Sequence, residues 1–141
     1  MDWSLIRRMR VKAKVPEGRF RRGQVWTFKD APLSESRVIV GKVENIKGYG
    51  WVVSVCITNV HIEYKNGVKL TDISHIPISK EAMEASVVEH TETREPVDGF
   101  DLARHEWREL IDAREAGVFT VGVAEVAKLI SDAIAKGHDV P

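Results

Sequence analysis

WVVSVCITNVHIEYKNGVKL, residues 51–70, is the stretch on which the fold class turns. Its apolar side chains fall at Trp51, Val53, Val55 and Ile57, every second position, the spacing of a β-strand with one face turned inward. The alternation then changes phase to Val60 and Ile62. Such a shift inside one extended run predicts a bulge or sharp bend near Thr58 and Asn59, as a strongly curved sheet requires. Lys65-Asn66-Gly67 closes the run, and its flanks select the loop length. A two-residue Asn-Gly loop sets Val68 against Lys65 and Leu70 against Glu63. A three-residue Lys-Asn-Gly loop with left-handed Gly67 pairs Tyr64 with Val68 and Ile62 with Leu70, and this geometry is expected because it keeps apolar side chains together.

Upstream, two more strands are predicted at Gly23–Phe28 and Arg37–Glu44, the second carrying Gly41 as a bulge or a close backbone approach. Gly48-Tyr49-Gly50 is a turn. Arg10–Val15 alternates basic and apolar residues until Pro16 and reads as an edge strand, behind an apolar anchor at Asp2–Met9.

Downstream of Pro77 the period becomes helical. Ser79 is the predicted N-cap of a first helix, with Ile78 stapled onto Met83 and Val87 continuing that face. Glu92–Gly99 reads as a polar connection. Asp98 caps a second helix with Phe100, Ala103, Trp107, Leu110 and Ile111 as its apolar stripe, ended by Gly117, and Thr120 caps a third through Lys136. The class is therefore α+β: a curved antiparallel sheet or SH3-like barrel of about five strands, followed by two to three packed helices. One domain spans 1–141, mainly β over 1–78 and mainly α over 79–137, with a frayed tail at 138–141.

The composition, 43% hydrophobic and 30% charged over 141 residues, is that of a chain able to bury a core. The one cysteine, Cys56, precludes an intramolecular disulfide and reads as a buried thiol in a reducing compartment, the cytoplasm. Arg7, Arg8 and Arg10 are followed by no apolar signal core, so neither export nor membrane insertion is expected.

Net charge is zero but unevenly spread. Residues 1–30 hold nine Lys or Arg against three acids, a balance of +6, and residues 81–115 hold four Arg against eleven acids, a balance of −7. Two such segments either face different partners or compensate one another in the fold.

Catalytic and metal motifs are incomplete. Cys56 and the five histidines show no C-x-x-C or H-x-x-x-H spacing. His61 and Glu63 form the H-x-E triplet of zinc deaminases without its P-C-x-x-C companion. Asp101, His105 and Glu109 share one helix face, where a carboxylate can orient an imidazole and where a solvated salt-bridge face also belongs. No G-x-S-x-G elbow and no phosphate-binding glycine loop is present. No cofactor, metal or catalytic residue is assigned.

Two resemblances add to this reading. Arg22-Gly23-Gln24-Val25-Trp26, a gap holding Pro32 and Glu35, and Arg37-Val38-Ile39-Val40 resemble the opening of the PemK/MazF family of toxin endoribonucleases. That resemblance implies an SH3-like barrel; Val38 stands where the family usually has proline, and Thr58 is the loose match to its later active-site segment. His75-Ile76-Pro77 with the residues 81–87, and Glu106-Trp107-Arg108 with the residues 116–120, are similar to small uncharacterised bacterial proteins. This second resemblance implies a bacterial or phage cytoplasmic origin.

The leading expectation is a non-enzymatic protein-binding module, an inhibitor, immunity-type protein or homodimer, using an exposed apolar patch or the acidic helix face at Glu106, Glu109 and Asp112. The alternative is a nucleic-acid-binding or RNA-cleaving barrel in which Arg19, Arg21, Arg22 and Arg37 hold phosphates, Trp26 stacks a base, and His61 or His75 acts as the base. No membrane partner is expected. The two readings differ in salt response, because phosphate contacts release counterions. In a lysate pull-down, a protein partner is expected to survive nuclease and raised salt, whereas bound nucleic acid is lost at raised salt and on charge reversal of the arginine cluster.

Overall fold

The computed structural model describes residues 18–64 and 66–137. The strands are β1 (Gln24–Phe28), β2 (Arg37–Ile46), β3 (Gly50–Tyr64), β4 (Gly67–Ser79) and β5 (Val87–Thr93); the helices are α1 (Lys80–Ser86), α2 (Phe100–Asp112) and α3 (Val123–Ala135). All strand pairs are antiparallel, in the order β4-β3-β2-β1-β5. The protein is α+β, with a curved five-stranded sheet that stays open, its edges β4 and β5 unpaired to one another among the described residues. The strand expected at Arg10–Val15, the anchor before it and the tail at 138–141 lie outside the described residues.

β3 organises the packing. Seven consecutive residues, Val52–Thr58, are buried, so both faces of its central part are covered. On one face Val53, Val55 and Ile57 join Val38, Val40, Ile76 and Ile78 against Met83 of α1 and Val123, Val126 and Ile130 of α3. On the other face Cys56 packs with Val25, Ile39 and Phe100, and Val52 packs with Ile46, Trp107 and Ile111 of α2. The sheet is thus the middle of three layers.

Two compensating irregularities bend the β3–β4 pair. Between Val55↔Ile76 and Ile57↔Ile73, β4 has the two residues Ser74 and His75 against Cys56; between Ile57↔Ile73 and Val60↔Thr71, β3 has Thr58 and Asn59 against Asp72. The second is the bend read from the phase shift. Asn59 adopts φ 57° there, with its N–H donating to Asp72 Oδ1 at 3.0 Å and its side-chain amide donating to the Glu35 carbonyl at 3.0 Å. Asparagine tolerates this left-handed conformation better than most residues.

Gly41 is both a bulge and a close approach. The β2–β3 register shifts between Val40 and Lys42, and a Cβ at Gly41 would overlap Cζ, Cε1 and Cε2 of Phe100. α2 therefore seats its first residue directly on the β2 backbone.

Four expectations are corrected. The hairpin pairs Tyr64 with Gly67, Glu63 with Val68, Ile62 with Lys69 and His61 with Leu70, so Gly67 belongs to β4 and not to a three-residue loop. Val68 and Leu70 are consequently 57% and 59% exposed. Ile73 is buried in the same cluster as Val60 and Ile62, so Thr71 and Lys69 share its face by two-residue alternation, and Leu70 turns away. Second, the first helix stops at Ser86. Val87–Thr93 becomes β5 along β1, within the segment expected to be helix and polar connection; only Val87 of this strand is buried, so no apolar alternation announces it. Third, α2 is capped by Gly99 at φ 89° with no side-chain cap bond, and the helix ends at Asp112 ahead of Gly117. Fourth, the N-cap of α3 is Gly122 rather than Thr120, and Ser86 Oγ accepts from Val123 N–H at 3.0 Å. Ser79, by contrast, caps α1 as read, accepting from Ala82 N–H at 3.2 Å.

Gly41→Ala is expected to lower stability by about 3 kcal/mol, the upper range for forcing atoms into a filled core. Urea unfolding measures it. Phe100→Leu in the same chain should recover part of the loss, so that the double variant is destabilised less than the two single losses combined.

Candidate functional site

Of the arginines singled out as a phosphate site, Arg22 and Arg37 are engaged within the fold, while Arg19 and Arg21 are exposed. Arg22 donates from Nε to Glu95 at 3.1 Å, from Nη1 and Nη2 to Asp101 at 2.9 and 3.2 Å, and from Nη1 to the Gly41 carbonyl at 3.3 Å. The hydrogen bond from Arg22 holds the Asp101 carboxyl below the usual range, and Asp101 followed by Glu95 raises the pKa of Arg22. Arg37 donates from Nη1 to the carbonyls of Ser34 and Ser36, each at 2.8 Å. Trp26 is buried, lies 5.3 Å from the His90 ring in a stacked arrangement, and has the Arg19 guanidinium 5.1 Å from its ring centroid. Arg21 is exposed and reaches the Gly18 carbonyl at 3.5 Å. Reversing Arg22 would break the junction of β2 and α2, so a nucleic-acid test belongs at Arg19 and Arg21.

His61 and Glu63 lie exposed on the β3 hairpin. On α2, His105 Nε2 is 2.7 Å from Glu109 Oε1, with both side chains about two-thirds exposed, and Asp101 is taken by Arg22. Arg108 Nη1 lies 3.1 Å from Asp112 Oδ1 yet makes no hydrogen bond there, a charge contact of poor direction. Among the described residues no group of three or more His, Cys, Asp or Glu is placed to hold a metal ion. Among them, too, no helix is long and apolar enough to cross a membrane.

A cleft of about 450 Å³ opens between α2 and the segment 115–119 that runs beside β4. Its far wall is fixed to the fold. Phe119 N–H donates to the Pro77 carbonyl at 2.9 Å and Ser79 N–H to the Phe119 carbonyl at 2.8 Å, forming a short parallel bridge to Ile78. Trp107 Nε1 donates to the Gly117 carbonyl at 3.0 Å, and Tyr49 Oη to the Ala116 carbonyl at 3.2 Å. Arg104 anchors α2 itself, gripping Glu44 of β2 through three hydrogen bonds of 2.7, 2.8 and 3.2 Å. The cleft is accordingly preformed.

Trp107, Leu110, Pro77, Val118 and Phe119 make its lining mostly apolar, with Glu106 and Glu115 as the acids and His75 as the other polar group. His75 sits in the β4 bulge opposite Cys56. It is 7% exposed, its ring centroid 5.3 Å from that of Trp107 and 5.7 Å from that of Phe100, and its Nε2 is 3.0 Å from Ser54 Oγ. Burial, reinforced by the charge of Arg104, pushes its pKa down to about 4, so the ring is neutral at neutral pH. Ser54 has no exposure. The pair resembles a base and nucleophile only in composition, since no substrate atom can reach the hydroxyl.

α2 carries the cleft outward. Leu102, Glu106 and Leu110 are spaced four apart and share one helix face, and Leu102 and Leu110 are 64% and 39% exposed. Of the acids singled out in the sequence, Glu106 stands in this stripe, while Glu109 and Asp112 flank it in contact with His105 and Arg108. Glu115 belongs to the acidic run 81–115, and Pro77 and Phe119 lie in the segments similar to small bacterial proteins; Ser54 and the β4 bulge at Ser74 and His75 were not singled out. Their available signals were a serine inside the buried run Val52–Thr58 and two residues, Ser74 and His75, filling the interval between Ile73 and Ile76. No family model, curated protein or solved structure matches this chain.

The low pKa of His75 fixes a sign for pH dependence. Below the ordinary value of 6.5 the unfolded chain takes up a proton that the folded chain refuses until about pH 4. Stability is thus fully present above 6.5 and is lost as the pH falls from 6.5 to about 4, by about 2 kcal/mol between pH 7 and pH 5. Urea midpoints of the protein and of His75→Gln at the two pH values are expected to differ by this amount in their pH response, the variant being flatter.

Proposed function

We propose that this protein is a non-enzymatic binding module that docks a basic, apolar segment of a partner protein along α2 and into the cleft behind it. The observation that carries this reading is the continuity of an exposed apolar stripe, Leu102 and Leu110, with a preformed apolar cleft bearing Glu106 and Glu115. An apolar side chain entering such a cleft leaves water, worth roughly 1.5–3 kcal/mol for a residue the size of leucine or phenylalanine. The acids add specificity and speed of encounter for a cationic partner more than raw affinity. A volume of about 450 Å³ falls within the ordinary range of ligand pockets and accepts one or two large side chains.

Nucleic-acid binding draws less support, because Arg22 commits all three guanidinium nitrogens to the fold and Arg37 commits its Nη1. Cys56, a buried free thiol, fits a reducing compartment such as the cytoplasm.

Selection of a random dodecapeptide display library on the immobilised full chain is expected to enrich sequences that combine large apolar residues with Lys or Arg. Glu106→Lys should weaken the selected peptides about three- to tenfold, with the loss shrinking as salt rises, and Arg19→Glu with Arg21→Glu should leave them unchanged. Enrichment of peptides without basic residues, or binding indifferent to Glu106, would overturn the reading.

A further inference from the structure

The floor of the α2 cleft contains a polar side chain that is more than nine-tenths buried and half satisfied. His75 Nε2 faces Ser54 Oγ at 3.0 Å, and Nδ1 has no hydrogen-bond partner among the described residues. Which nitrogen carries the proton follows from the serine. Ser54 is wholly buried, and His75 Nε2 is the one partner its hydroxyl has among the described residues. Were Nε2 the donor, the serine's own proton would be stranded in an apolar interior, at a cost of about 1–3 kcal/mol. With the serine hydroxyl donating to Nε2, its proton is satisfied and the neutral ring carries its hydrogen on Nδ1.

We infer that His75 Nδ1–H is a hydrogen-bond donor offered to the cleft, and that the group the cleft takes is apolar with a neutral carbonyl at its inner end. The rest of the lining weighs against a charged occupant and against a purely hydrocarbon one. Trp107, Pro77, Leu110 and Phe119 offer apolar contact, and the Trp107 N–H is already committed to Gly117. A carboxylate would present the same acceptor but would have to enter beside Glu106 and Glu115, where like charges repel it. A hydrocarbon would leave the Nδ1–H desolvated and unpaired. In a protein partner, such a group is a backbone or side-chain carbonyl next to an apolar side chain. This specificity rests on the docking reading above, since it names what that surface accepts.

Three probes of matched shape test it on the full chain labelled with ¹⁵N-histidine. Acetophenone carries the carbonyl, α-methylstyrene replaces its oxygen with a methylene, and benzoate adds the charge. In the unliganded protein, two-bond ¹H–¹⁵N correlation spectra are expected to show the His75 proton on Nδ1. Acetophenone should shift that nitrogen and bind about five- to tenfold more tightly than α-methylstyrene, the ratio of one neutral hydrogen bond; benzoate should be the weakest. In His75→Phe the preference for acetophenone over α-methylstyrene should vanish. A proton on Nε2, equal affinities for acetophenone and α-methylstyrene, or no binding by acetophenone would each overturn the inference. Its failure is separable from that of the docking surface. Peptides that depend on Glu106 while acetophenone leaves Nδ1 unmoved would keep the surface and remove the carbonyl slot, and the reverse pattern would keep the slot alone.

Discussion

The constraint on which the rest of the structure depends is that β3 is buried on both faces. A strand in a two-layer protein hides alternate residues, whereas the whole run Val52–Thr58 is removed from water here. The sheet therefore has to be covered twice. α1 and α3 cover the face of Val53, Val55 and Ile57, and α2 covers the face of Val52 and Cys56. The order of elements follows: β5 must separate α1 from α2, because the chain has to pass from one face to the other, and it does so along the free edge of β1.

α2 is the cover with the more specific seat. Phe100 occupies the space that the missing side chain of Gly41 leaves, the Arg22 junction ties the start of the helix to β2 through Asp101 and the Gly41 carbonyl, and Arg104 pins its middle to Glu44. With these fixed, Trp107 reaches past the edge of the sheet to the Gly117 carbonyl. The cleft is the space that remains between a helix held at β2 and a segment held at β4. Its polar floor is a product of the β4 bulge, which inserts His75 between two core isoleucines and turns it toward Ser54.

The parts of this arrangement that were legible in the residues are those with a local physical signature. The bend at Thr58 and Asn59 shows as a broken two-residue period, the α1 cap as a serine ahead of a helical period, and the choice at Gly41 as a glycine inside a β-forming run. The parts that were not legible depend on a partner far away in the chain. β5 is written in polar residues because its outward face meets solvent and its bonds go to β1. The α3 cap comes from Ser86, thirty-seven residues before Val123. Arg22 reads as a phosphate ligand until Asp101, seventy-nine residues away, is brought beside it.

The hairpin shows the same division within twenty residues. Loop chemistry and the wish to pair Ile62 with Leu70 are local, and they favour a register that would bury Leu70. Ile73 competes for the same face, and it lies nearer the centre of the core, where the helices on that face cover the sheet; alternation then leaves Leu70 in water. By itself the sequence determined that the segments of β1 to β4 extend, that three helices form downstream, where β3 bends and that the class is α+β, because periodicity and capping act over one or two turns of chain. Only the tertiary structure decided the hairpin register, the fifth strand, the pairing of the charges and the His75 cleft, because each is the outcome of a competition between residues that meet only once the sheet has been covered on both sides.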